Sequence, residues 1–136
     1  WAISPGRLVC VQAGLSDVSS HARIMGGTIS DNLIGTRIVK SDDEDAAGVV
    51  TLDEALKGQR VDFIKADIEG DEMDMLHGAA HLIRTQKPRI AICLYHKLTD
   101  PYEIPLYLKE LVPEYKFKVR HHSMNFMETV LYAYHE

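Results

Sequence analysis

Apolar residues fall along the chain in short runs, and the spacing within each run separates strands from helices. The segment Arg7 to Leu15, "RLVCVQAGL", is an apolar run closed by glycine and polar residues, the pattern of a strand covered on both faces. Residues 16 to 50 hold only short apolar pieces. They read as loops with small strands near "ARIM" and "TRIVK", and the acidic run Asp42 to Asp45 reads as a solvated loop. Thr51 and Glu54 form a capping box that opens a short helix, and Gly58 closes it. "VDFIKADI" follows as a strand. Met73, Leu76, Ala80 and Ile83 recur at helical spacing and predict one helix from about Gly70 to Thr85, with Pro88 beyond it. "RIAICLY" is another buried strand, and "PYEIPLYLKELV" is a helix with Pro105 near its first turn. "YKFKVRHH" and "ETVLYAYH" are strands joined by "SMNFM", a connection short enough for antiparallel pairing.

Strands alternating with helices place the chain in the α/β class, with a mostly parallel sheet and an antiparallel last strand. Its 136 residues favour a single domain, 1–136, able to bury a core. The net charge of -5, with no basic run longer than two residues, argues against a nucleic-acid partner. It favours a small-molecule or carbohydrate substrate. No stretch approaches the ~18 apolar residues of a membrane span, and the N-terminus does not read as a signal peptide. The chain starts at Trp1 without a methionine, as a fragment would. Cys10 and Cys93 lie in apolar runs and read as buried, reduced thiols, which suits a cytoplasmic protein.

The chemistry concentrates in "IKADIEGDEMDMLHG", Ile64 to Gly78, which carries five carboxylates. Ligands of open α/β sheets bind outside the carboxyl ends of the strands. One strand ends at Asp67 and Glu69, the next at His96, and a third delivers Arg120, His121 and His122, while Glu128 and Thr129 open the returning strand. Separate segments thus aim carboxylates, imidazoles and a guanidinium at one rim. Lys65 and Asp67 share a strand face among apolar neighbours, where a charge is costly unless paired or bound. Asp71 and Glu72 need no role beyond favourable placement in a helix's first turn, and Asp74 reads as a surface residue. His77 and His81 have metal-ligand spacing, but without an "HExxH" pattern they read as exposed helix residues.

"TLDEAL", "VDFIKADIEGDEMDMLHGA" and "KPRIAICLYHK" together resemble the FkbM-type methyltransferases, and Leu8 to Tyr134 is similar to that family's C-terminal portion. The resemblance implies a Rossmann-like class I methyltransferase sheet of order 3-2-1-4-5-7-6 and S-adenosylmethionine-dependent methylation of a sugar or natural-product hydroxyl. It makes Arg7 to Leu15 the third strand, so the first two strands, which carry the glycine-rich cofactor turn, are lacking and the domain reads as N-terminally truncated. The implied roles are catalysis for Asp67, Glu69 and His96, and cofactor binding for Ala13, Gly14, Leu15 and Ser16. Lys65, Arg120, His121 and Glu128 are implied to bind substrate. A divalent metal requirement stays open. Exposed strand edges would favour self-association into a homo-oligomer. Two other readings stand beside this one: a metal-dependent hydrolase using Asp67, Glu69, His96 and His121, and a non-catalytic remnant acting as a binding module.

Overall fold

The computed structural model describes residues 8–26, 36–40, 47–125 and 127–136. The acidic run Asp42 to Asp45 lies outside them. In chain order the elements are β1 (Gly14–Leu15), β2 (Ser20–Gly26), β3 (Thr36–Lys40), β4 (Ala47–Val50), α1 (Leu52–Ala55), β5 (Phe63–Ala66), α2 (Glu72–His77), α3 (Ala80–Gln86), β6 (Arg89–Cys93), α4 (Asp100–Leu111), β7 (Lys116–His121) and β8 (Thr129–Tyr134). The strands form two four-stranded sheets, ordered β1-β4-β2-β3 and β5-β6-β8-β7.

The second sheet follows the expected order for the last four strands. β5 and β6 pair in parallel, and β8 inserts antiparallel between β6 and β7. Since β8 contacts both neighbours, two of that sheet's three ladders are antiparallel although β5, β6 and β7 all run the same way. In the first sheet only β1 with β4 is parallel. The second sheet thus has three co-directional strands and the expected antiparallel last strand. The first is mostly antiparallel, and the described residues do not show one mostly parallel sheet across both.

The N-terminal strand is also shorter than its apolar run predicts. Only Gly14 and Leu15 pair with a neighbour, and Leu8, Val9 and Val11 are 64%, 80% and 68% exposed. An apolar run becomes a buried strand only where other strands and helices cover it, and no described element covers residues 8–13. Cys10 is accordingly exposed rather than buried, whereas Cys93 is buried as expected. The small strands near "ARIM" and "TRIVK" are present as β2 and β3.

The core lies between the second sheet and its helices. Ile64, Ile90, Ile92, Leu94 and Leu131 meet Met75, Leu76, Ile83, Ile104 and Leu108 there. The helix expected over Gly70 to Thr85 breaks at Gly78 and Ala79 into α2 and α3. The backbone of Ser16 passes so close that a Cβ on Gly78 would sit 2.0 Å from the Ser16 carbonyl oxygen. Asp53 makes the break good. Its carboxylate accepts from His81 N and Leu82 N at 3.0 and 2.8 Å, capping α3 from outside, and its own N–H donates to Gly78 O.

The capping box at α1 is present in modified form. Thr51 Oγ1 accepts from Glu54 N, but the Thr51 N–H donates to Ser19 Oγ, which in turn donates to the Glu54 carboxylate. Pro105 lies inside α4, while Pro101 takes the first-turn position.

Candidate functional site

Alternation along β5 turns Ile64 and Ala66 into the core and leaves Phe63, Lys65 and Asp67 on the exposed side. Lys65 and Asp67 do share a face, but it faces solvent, so the expectation that they are buried among apolar neighbours is corrected. After Asp67 the chain turns sharply. Glu69 and Gly70 both have positive φ, 61° and 104°, and a Cβ on Gly70 would lie 3.7 Å from His96 Cβ. Only then does α2 begin, with Glu72 as its first residue.

His96, just past β6, is the hub. Its side chain is 9% exposed; Nδ1 lies 2.8 Å from Glu72 Oε1, and Nε2 lies 3.5 Å from Asp67 Oδ1 and 3.7 Å from Glu69 Oε2. Glu72 is fully buried, and its Oε1 also accepts the Ile68 N–H at 2.9 Å. The turn that presents Asp67 and Glu69 is therefore tied to the carboxylate that holds the imidazole. Both ring nitrogens are buried and neither makes a hydrogen bond among the described residues, Nδ1 included despite its 2.8 Å approach to Glu72. Asp67 Oδ1 accepts from the Tyr95 hydroxyl at 2.8 Å, and the Tyr95 ring stacks obliquely on His96 with centroids 4.2 Å apart.

Burial, then the bond to Asp67, raises the Tyr95 hydroxyl pKa, keeping it a donor. Burial, reinforced by the Asp67 charge, pushes the Cys93 thiol up to about 12, so Cys93 is no nucleophile here. Below the hub, buried Asp100 accepts from Lys97 N at 2.8 Å and fixes the loop that carries His96. Burial also raises the Asp100 pKa. The product is a buried imidazole facing two carboxylates at the carboxyl ends of two parallel strands. Such a group can align a polar ligand and take a proton from it.

The model of the FkbM methyltransferase domain matches residues 12–119. The chain belongs to the FkbM methyltransferase domain family. The crystal structure of the methyltransferase FkbM from Methylobacillus flagellatus KT is similar over 90% of this chain at 28% identity, with a TM-score of 0.68. The chain spans 27% of that protein's length. No curated protein matches it.

Within this FkbM domain, Asp67, Glu69 and His96 converge as their strand ends imply. The other expected site residues make no hydrogen bond or ion pair to His96 among the described residues. Lys65 nonetheless shares the strand face of Asp67, and the Glu128 charge is felt at Tyr95. His121 Nδ1 is bonded to Thr129 Oγ1 at 2.9 Å. Arg120 lines an open cavity with Phe63, Arg89, Lys118, Tyr132 and Tyr134 on the face of the second sheet opposite the core. Glu128, at φ 66°, precedes β8 and raises the Tyr95 hydroxyl pKa slightly through its charge. Of the expected cofactor loop, Gly14 and Leu15 are spent on pairing with Val49 and Val50, and Ser16 is buried against Gly78.

Glu72 went unread as a site residue because an acid in a helix's first turn has an ordinary explanation. A signal was there: Glu72 and Ala79 fall at helical spacing with Leu76 and Ile83 of the expected stripe, and all four are buried. An acid inside a buried stripe asks for a buried partner.

Proposed function

We propose that this chain is the acceptor-side part of an S-adenosylmethionine-dependent O-methyltransferase acting on a hydroxyl of a sugar or small natural product in the cytoplasm. The observation that carries this reading is the convergence of Asp67, Glu69 and unpartnered His96 Nε2 at one rim of an FkbM domain. Methyl transfer needs the acceptor oxygen aligned behind the methyl group, and positioning supplies much of the acceleration. The cluster is suited to orient a hydroxyl and draw off its proton. Lys65, Arg120, His121 and Glu128 are proposed to contact more distant parts of the acceptor.

The described residues do not fit the cofactor itself. No glycine-rich strand–turn–helix occurs among them, and the expected loop is spent on β pairing and packing. In this reading the methyl-donor half belongs to chain beyond these residues, consistent with a relative of which they span 27%. Titration calorimetry of this chain with S-adenosylmethionine is therefore expected to show no dissociation constant below about 1 μM. Tighter binding would relocate the cofactor site into these residues.

The deciding experiment compares Asp67→Asn with Asp74→Asn in the full-length protein. The first substitution keeps shape while removing charge and is expected to slow methyl transfer by roughly 10²–10⁴. The second, on α2 away from His96, is expected to leave the rate within about twofold. Equal, small effects would reduce the cluster to a helix-start feature.

A further inference from the structure

Three observations at His96 point the same way. Like Nδ1, its Nε2 is buried and has no hydrogen-bond partner among the described residues, although two carboxylate oxygens stand 3.5 and 3.7 Å from Nε2. A bare imidazole–carboxylate hydrogen bond would close to about 2.7–2.9 Å. Two ligands bound to one cation at about 2.1 Å stand roughly 3–3.5 Å apart, nearer to the spacing observed. The opposite nitrogen, Nδ1, lies 2.8 Å from buried Glu72, the arrangement in which a carboxylate orients a metal-binding histidine. One ligand atom each from Asp67, Glu72 and His96 lies within 4.8 Å of the others; Glu69 is outside that group and reaches the hub only by its 3.7 Å approach to Nε2.

We infer that this hub is a divalent-cation site, with His96 Nε2, Asp67 and Glu69 as ligands and Glu72 as the residue that fixes the imidazole. Glu72 stands 2.8 Å from Nδ1 without a hydrogen bond to it, and Nε2 is the nitrogen that faces both Asp67 and Glu69. Glu69 is 38% exposed at its side chain and can swing to close the coordination. One imidazole with two carboxylates suits Mn²⁺ better than a soft, thiolate-seeking ion. Three protein ligands leave open positions, and two neighbouring oxygens of an acceptor can occupy them. That consequence, a vicinal-diol or hydroxy-carbonyl acceptor, rests on the methyl-transfer reading, whereas the cation site does not.

The test uses Mn²⁺ alone, titrated into the protein and followed by calorimetry and electron paramagnetic resonance. One ion per chain is expected, bound more tightly than about 1 mM, with nitrogen-14 spin-echo modulation from a coordinated imidazole. Asp67→Asn and Glu69→Gln, both at exposed positions, are each expected to weaken binding at least tenfold, and Asp74→Asn to leave it unchanged. The nitrogen signal is read on the unsubstituted protein, so a variant that fails to fold does not remove the answer. Absence of stoichiometric binding, absence of the nitrogen signal, or equal affinities in Asp67→Asn and Asp74→Asn would each overturn the site. Methyl transfer is assayed separately. Mn²⁺ binding without methyl transfer leaves the cation site standing and removes the transferase reading; metal-free methyl transfer by a protein that binds no Mn²⁺ does the reverse.

Discussion

The two sides of the His96 imidazole differ in kind. On one side Glu72, fully buried at the start of α2, accepts from the Ile68 amide and stands 2.8 Å from Nδ1. On the other, Asp67 and Glu69 face Nε2 with side chains one-third or more exposed and no hydrogen bond to it. The inner side is built into the core, and the outer side is left open. A buried carboxylate with a tight partner serves the fold, because removing either member strands a charge. An exposed carboxylate held near a buried, unpartnered nitrogen contributes little to stability and is available to a ligand.

Substitution can break that division. Glu72→Ala is expected to cost about 3–5 kcal/mol in urea unfolding, since it orphans the imidazole and the Ile68 amide at once. Glu72→Gln, which can still accept from Ile68, should recover part of the loss. A cost for Glu72→Ala below about 1 kcal/mol would show that the inner side is not structural.

Gly78→Ala comes next. Its Cβ would collide with the Ser16 carbonyl oxygen, a backbone atom that cannot rotate away, so roughly 2–3 kcal/mol is expected in the same assay. Here α2 would move, and Glu72 with it. Asp67→Asn should have the smallest effect, under about 1 kcal/mol, because the Tyr95 hydroxyl can still donate to the amide oxygen. A larger loss would place Asp67 with the structural residues and weaken the contrast.

Much of this geometry was legible beforehand. The alternation of apolar runs and the short connection before the final strand pointed to parallel strands closed by an antiparallel one. The order of the last four strands was implied only by the resemblance to FkbM-type methyltransferases. The rule of strand carboxyl ends then brought Asp67, Glu69 and His96 to one rim. What escaped depended on partners distant in sequence. Nothing in "RLVCVQAGL" tells that residues 8–13 stay uncovered, since an apolar run has the same spelling with or without a neighbouring strand. The break at Gly78 needs Ser16, and the cap of α3 needs Asp53, 28 residues before His81. Local periodicity registers neither. Glu72 was misread for a different reason: two explanations fit one position, and the commoner was taken.

Glu69 occupies a left-handed backbone position, φ 61°, immediately before a glycine that is also left-handed. An L-residue with a Cβ gives up roughly 1–2 kcal/mol there, and glycine or asparagine would relieve it. A chain optimised for folding alone would not place glutamate at this corner. Site and scaffold therefore pull in opposite directions at residue 69. Selection for thermal resilience should drift toward Gly or Asn at this position, and each such gain would erase a carboxylate from the rim. A variant library ranked by melting temperature would accordingly discard the site's chemistry first at this corner.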